Sequence, residues 1–125
     1  MSKRRVVVTG LGIISPVGNN VTEACASIIA GKSGITPITR FDASNFASRI
    51  AGEVKAFDVT EYLSSKDARR MDIFIHYGMA AAIQAITDAG IEDVGKFDAE
   101  RIGVNIGSGI GGLPMIEHTD EAYHA

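Results

Sequence analysis

Lys3-Arg4-Arg5-Val6-Val7-Val8-Thr9-Gly10-Leu11-Gly12-Ile13-Ile14-Ser15-Pro16-Val17-Gly18 opens the chain, and Arg101-Ile102-Gly103-Val104-Asn105-Ile106-Gly107-Ser108-Gly109-Ile110-Gly111-Gly112 answers it near the end. Each reads as a strand running into a glycine turn. Residues 6–8 are β-branched without alternation, the pattern of a strand covered on both faces. Glycines at 10, 12 and 18 and Pro16 then end it in a turn-rich loop. Two such strands with helical segments between them predict an α/β fold.

Asn20-Val21-Thr22-Glu23 has capping-box spacing, so a short helix through Ile28 and Ile29 is expected, stopped by Gly31. Residues 32–63 read as a long excursion with one short strand near residues 50–54. Its large apolar residues, Phe41, Phe46, Phe57 and Tyr62 among them, imply that it packs on the same domain. Ser64-Ser65-Lys66-Asp67 is a second capping box. Beyond it, Met71, Phe74, Ile75, Met79, Ala82, Ile83 and Ile86 recur at helical spacing and predict an amphipathic helix to Ala89, with Gly90 as its stop. A break near Met71-Asp72 would divide it in two. Residues 91–100 form an acidic loop, and 113–124 a last helix. The whole of 1–125 is read as one unit, with no second domain.

The chain has 125 residues, 46% of them apolar, enough for a packed core. No apolar stretch approaches the ~20 residues needed to cross a bilayer. With no cleavage-site pattern after the basic start, a cytoplasmic, membrane-free protein is expected. The single cysteine, Cys25, excludes an internal disulfide framework and a Cys-based zinc cluster. Charge is graded: five basic residues against one acidic over 1–40, five against six over 41–80, two against eight over 81–125. A nucleic-acid binder should present a broad basic face, which this gradient does not supply.

Gly107-x-Gly109-x-x-Gly112 matches the dinucleotide fingerprint in form, and a Rossmann-type nucleotide-binding module is the alternative reading. The first loop fits it poorly, because Ser15-Pro16 stands where a third glycine belongs and proline lacks an amide donor. Lys66, Arg69 and Arg70, spaced i, i+3 and i+4, would place three cations on one helical face. Charge alone accounts for them as a solvated face. Cys25, mid-helix and without a basic neighbour, reads as a small buried apolar residue. His76 reads as a partly buried structural histidine. His118 and His124, six apart, do not share a helical face, so no metal site is expected.

Taken in order, the motifs resemble the N-terminus of the β-ketoacyl-acyl-carrier-protein synthases. They are residues 6–12, Ser15-Pro16-Val17-Gly18-Asn19, Ala30-Gly31-Lys32-Ser33-Gly34-Ile35, Phe41-Asp42, Ala51-Gly52-Glu53-Val54-Lys55, Asp67-Ala68-Arg69-Arg70-Met71-Asp72 and residues 107–113. The loop with Ile110 is more like the synthase II type than synthase I. The resemblance implies a thiolase-like fold of αβαβα layers, of which this chain is an incomplete N-terminal part, and a homodimer. It implies a decarboxylative Claisen condensation between an acyl-enzyme and malonyl-acyl carrier protein, without metal or organic cofactor. The nucleophilic cysteine and two histidines of the family match no position here, so residues 1–125 alone are expected to be inactive. Positions matching Lys66, Arg69 and Arg70 help dock the acidic acyl carrier protein, and the position matching Ile110 lines the inner end of the acyl pocket.

Overall fold

A computed structural model describes residues 3–91 and 93–124. Helix α1 (Val21–Ile29) begins at Asn20, whose side chain accepts the Glu23 N–H at 2.9 Å. Glu23 reaches back to the Asn19 N–H at 3.1 Å, one residue earlier than a standard capping box. Gly31, at φ +65°, closes the helix: its N–H donates to Ile28 and that of Lys32 to Ser27, the paired bonds of a Schellman motif.

Strands β1 (Ile35–Pro37) and β2 (Ile50–Gly52) pair antiparallel, with Ile35 opposite Gly52 and Pro37 opposite Ile50. The second was expected; the first was hidden by its proline and its brevity. The excursion does pack on the same body. Phe57 stacks on Tyr62 and meets Tyr77 edge-on at 5.1 Å, and Arg40 donates to the Tyr77 hydroxyl at 2.9 Å. Pro16 is wedged against this hairpin, where a Cβ on Gly34 or Gly52 would lie 2.8 or 2.9 Å from its ring.

The long helix divides where the sequence indicated. Helix α2 (Ser65–Ala68) starts at Ser64, which exchanges bonds with the Asp67 N–H at 3.2 Å and carboxylate at 2.6 Å. After a tight turn, helix α3 (Ile73–Asp88) starts at Asp72, whose carboxylate accepts the Ile73 N–H at 2.7 Å. Gly90, at φ +67°, ends α3 in a second Schellman motif. Short 3₁₀ turns at Val94–Lys96 and Ala99–Arg101 cross the acidic loop, and α4 (Leu113–His124) follows.

Two expectations are corrected. The predicted strands at 6–8 and 101–107 carry no ladder among the described residues, and Val6 and Val104 are 86% and 83% exposed. A β-branched run becomes a strand only beside a strand that accepts its ladder, and among the described residues neither run has one. Of the residues the spacing marked on α3, Phe74, Ile75, Ala82 and Ile83 are half-buried, while Met79 and Ile86 are exposed. The helix also presents a small-residue row, Ala81, Ala85 and Ala89, against Gly10 and Gly12. Among the described residues the buried apolar ones are three alanines, Ala24, Ala43 and Ala80.

Candidate functional site

Both glycine loops meet α3, and their geometry separates the two sequence readings. In the first, Gly10 and Gly12 lie so close to α3 that a Cβ on Gly12 would overlap the Ala81 carbonyl and sit 2.8 Å from the Ala85 nitrogen. The intervening amides are already engaged. Leu11 N–H donates to Asp88 Oδ2 at 2.9 Å and Ile13 N–H to Gln84 Oε1 at 3.2 Å. A phosphate cradle needs convergent free amides. Here the glycines serve helix packing, and carboxylate and amide side chains occupy the donors.

Gln84 does more than cap one amide. Its Nε2 donates to the Asn19 carbonyl at 2.7 Å and to the Tyr62 hydroxyl at 2.8 Å. Sequence reasoning missed it; the available signal was one amide side chain within Ala81-Ala82-Ile83-Gln84-Ala85-Ile86.

The second loop rests on Phe74. A Cβ on Gly111 would lie 2.5 Å from the Phe74 ring, so glycine is required there by the close approach. Beside it, Ile110 holds φ +52°, a left-handed conformation that a β-branched residue adopts only under strain. Its side chain is 78% exposed. An apolar cleft of about 410 Å³ runs between the loop and α3, lined by Ile14, Phe74, Ile75, Met79, Ile106 and Ser108. Ile110 stands outside that lining.

The cationic residues are all exposed, but they do not share one α-helical face. Helix α2 ends at Ala68; Arg69 is its C-cap, and Arg70 N–H bonds three residues back to Asp67. The turn is anchored to α3 by His76, whose Nε2 lies 2.9 Å from the Ala68 carbonyl, the structural role expected of that histidine. No carboxylate lies within 4.0 Å of Lys66, Arg69 or Arg70 among the described residues. Arg69 borders a cleft shared with Asp72, Pro114, Met115 and His118, so the turn and the start of α4 flank one depression.

Cys25 is exposed, which corrects its reading as a buried apolar residue. Only the Ala24 side of α1 is covered, by the turn at Gly18, where a Cβ would lie 2.5 Å from the Ala24 nitrogen. His124 Nε2 lies 3.5 Å from Asp120 Oδ1 one turn earlier on α4, both well exposed.

Comparison with known proteins decides the family. The model described as "Beta-ketoacyl synthase, N-terminal domain" matches residues 3–124. The chain belongs to the beta-ketoacyl synthase family. Within the family it is 60% identical over 117 residues to 3-oxoacyl-[acyl-carrier-protein] synthase 2 of Vibrio harveyi, covering 94% of this chain and 28% of that protein. It is 58% identical over 122 residues to the protein of the same name from Vibrio cholerae serotype O1, covering 98% and 29%. The chain thus spans less than a third of the length of these beta-ketoacyl synthases. The ishigamide ketosynthase/chain length factor superposes with TM-score 0.71 at 31% identity, covering 98% of this chain and 31% of that one. AntDE, a ketosynthase bound to the hexaketide and in complex with its type II polyketide acyl carrier protein AntF, superposes with TM-score 0.74 at 32% identity, covering 94% and 31%. The fold is therefore part of a thiolase-like α/β domain, and the nucleotide-binding alternative is set aside.

Proposed function

We propose that this chain is the N-terminal portion of a fatty-acid chain-elongating condensing enzyme, a 3-oxoacyl-acyl-carrier-protein synthase of the second type. The observation that carries the reading is the match over nearly the whole chain to relatives of that one name, at 60% and 58% identity. The parent reaction joins an acyl group held on a cysteine thiolate to the carbanion left when malonyl-carrier protein loses carbon dioxide. The thiolate and its two histidines lie outside residues 1–125, and Cys25, exposed on α1 without a basic partner, does not replace them. The parent works as a cytoplasmic homodimer, and no described helix is long and apolar enough to cross a bilayer.

Two roles fall to residues of this chain. Lys66, Arg69 and Arg70 dock the acidic acyl carrier protein, a reading supported by their exposure and their freedom from carboxylates within 4.0 Å among the described residues. That AntDE is found with its acyl carrier protein also supports it. Ile110 bounds the acyl pocket, supported by its place on a strained loop that rests on α3. Titrating acyl carrier protein into the protein at low and high salt tests the docking role. Binding that weakens with salt and disappears in a Lys66→Glu/Arg69→Glu/Arg70→Glu variant is expected. Salt-independent binding, or binding unaffected by the reversal, refutes it.

A further inference from the structure

Asp72 occupies the junction between the two candidate regions. It lies two residues after Arg70 and caps α3, with Oδ1 accepting the Ile73 N–H at 2.7 Å. Its other oxygen, Oδ2, accepts the N–H of Met115, 43 residues away, at 3.3 Å. Met115 is the third residue of α4, directly after the glycine loop, and the first turn of that helix closes through Ile116 N–H to the Gly112 carbonyl at 3.1 Å. The position a Cβ would take on Gly112 lies 3.9 Å from Asp72 Oδ2 and 3.8 Å from the Phe74 ring. One carboxylate thus accepts from the starts of two helices, and the helix dipoles favour negative charge at that point.

We infer that Asp72 is a positioning residue: it holds the loop at 107–112 against α3 and thereby fixes where Ile110 stands at the acyl pocket. This rests on the role proposed for Ile110. Phe74 supports the loop by contact and Asp72 supplies the directional bond, so the strained backbone at Ile110 is held from both sides. A merely structural cap would serve α3 alone. The bond to Met115 serves no part of α3, and it is the one a substitution can remove separately.

Two variants make the separation. Asp72→Ser still caps α3, since serine is a good N-cap that accepts from the second or third N–H of the helix (Phe74 or Ile75), but is too short to reach Met115. Asp72→Ala loses both bonds. Amide hydrogen exchange on the protein should show Met115, Ile116 and the loop exchanging about tenfold faster in both variants, the size of one lost hydrogen bond to a charged acceptor. The first turn of α3 should loosen in Asp72→Ala alone. In the enzyme carrying this sequence, the ratio of kcat/KM for long against short acyl chains should shift severalfold in Asp72→Ser, in the same direction as in Ile110→Ala. Unchanged exchange at Met115 in Asp72→Ser overturns the tether. Faster exchange with an unchanged chain-length ratio, while Ile110→Ala shifts it, overturns the positioning role and leaves that of Ile110 standing. No shift in either variant overturns both.

Discussion

Gly12 is the position at which one added methyl group should be most damaging. Its Cβ would overlap the Ala81 carbonyl and come within 2.8 Å of the Ala85 nitrogen, both backbone atoms of a 16-residue helix that cannot rotate away. Ordinary contact requires roughly 3.4 Å or more, so the loop must lift off α3. Overpacking of this kind costs about 1–3 kcal/mol. Lifting also breaks the part-buried bond from Ile13 N–H to Gln84, worth about 0.5–1.5 kcal/mol, while the exposed bond from Leu11 to Asp88 adds little. Together Gly12→Ala should cost about 2–4 kcal/mol, a large share of the 5–15 kcal/mol typical of a small domain. Urea denaturation followed by circular dichroism measures it, with Gly103→Ala as control, because nothing lies within 4 Å of a Cβ there. A loss under about 0.5 kcal/mol in Gly12→Ala, within the range of an ordinary surface change, would refute the packing account of the first glycine loop.

Gly31→Ala and Gly90→Ala should each cost about 1–2 kcal/mol by the same assay, because both glycines hold left-handed backbone in Schellman closures although neither is crowded. Acid should weaken the fold through Glu53 and Asp58. Hydrogen bonds from the Thr39 hydroxyl and N–H hold the Glu53 carboxyl below its ordinary value, and those from Thr60 do the same for Asp58. Their contribution is therefore complete above the unfolded values of about 4 and is lost as pH falls through the lower folded values. In pH titrations of stability, Thr39→Val and Thr60→Val should flatten that acid limb; a limb unchanged in the double variant would exclude these pairs as its source. Ile110→Ala in the enzyme should admit bulkier acyl chains, read as a rise in kcat/KM for those chains, and an unchanged preference would remove Ile110 from the pocket.

What could be read from the sequence was whatever neighbouring residues decide among themselves. Asn20 with Glu23, Ser64 with Asp67, and the closing Gly31 and Gly90 each act within one turn, so helix ends were legible. The break before Asp72 belongs to the same class. Strand pairing does not, since residues 6–8 and 101–107 have strand composition but a ladder depends on what lies beside them. The large residues of α3 marked only part of its contact surface. The close approach was set by the absence of side chains at Gly10 and Gly12 and by the alanines opposite. At the candidate site, the residue types at 66, 69, 70 and 110 could be picked out by family resemblance. Their arrangement could not, because α2 ends after Ala68 and Asp72 reaches a partner 43 residues away.

Gln84 also sets an order of events. Its bonds to Ile13, Asn19 and Tyr62 close segments of 71, 65 and 22 residues. Closing a long segment costs chain entropy that grows slowly with length and is recovered only once α3 offers the amide in place. During folding, residues 11–19 therefore arrive late, after α3 and Tyr62 have met. Loss of Gln84 would release the turn at its start and its end together, leaving Gly10 and Gly12 on α3 and Pro16 on the hairpin to hold its middle. Residues 3–8 ahead of that turn, exposed and in no ladder among the described residues, are the natural first site of proteolytic nicking.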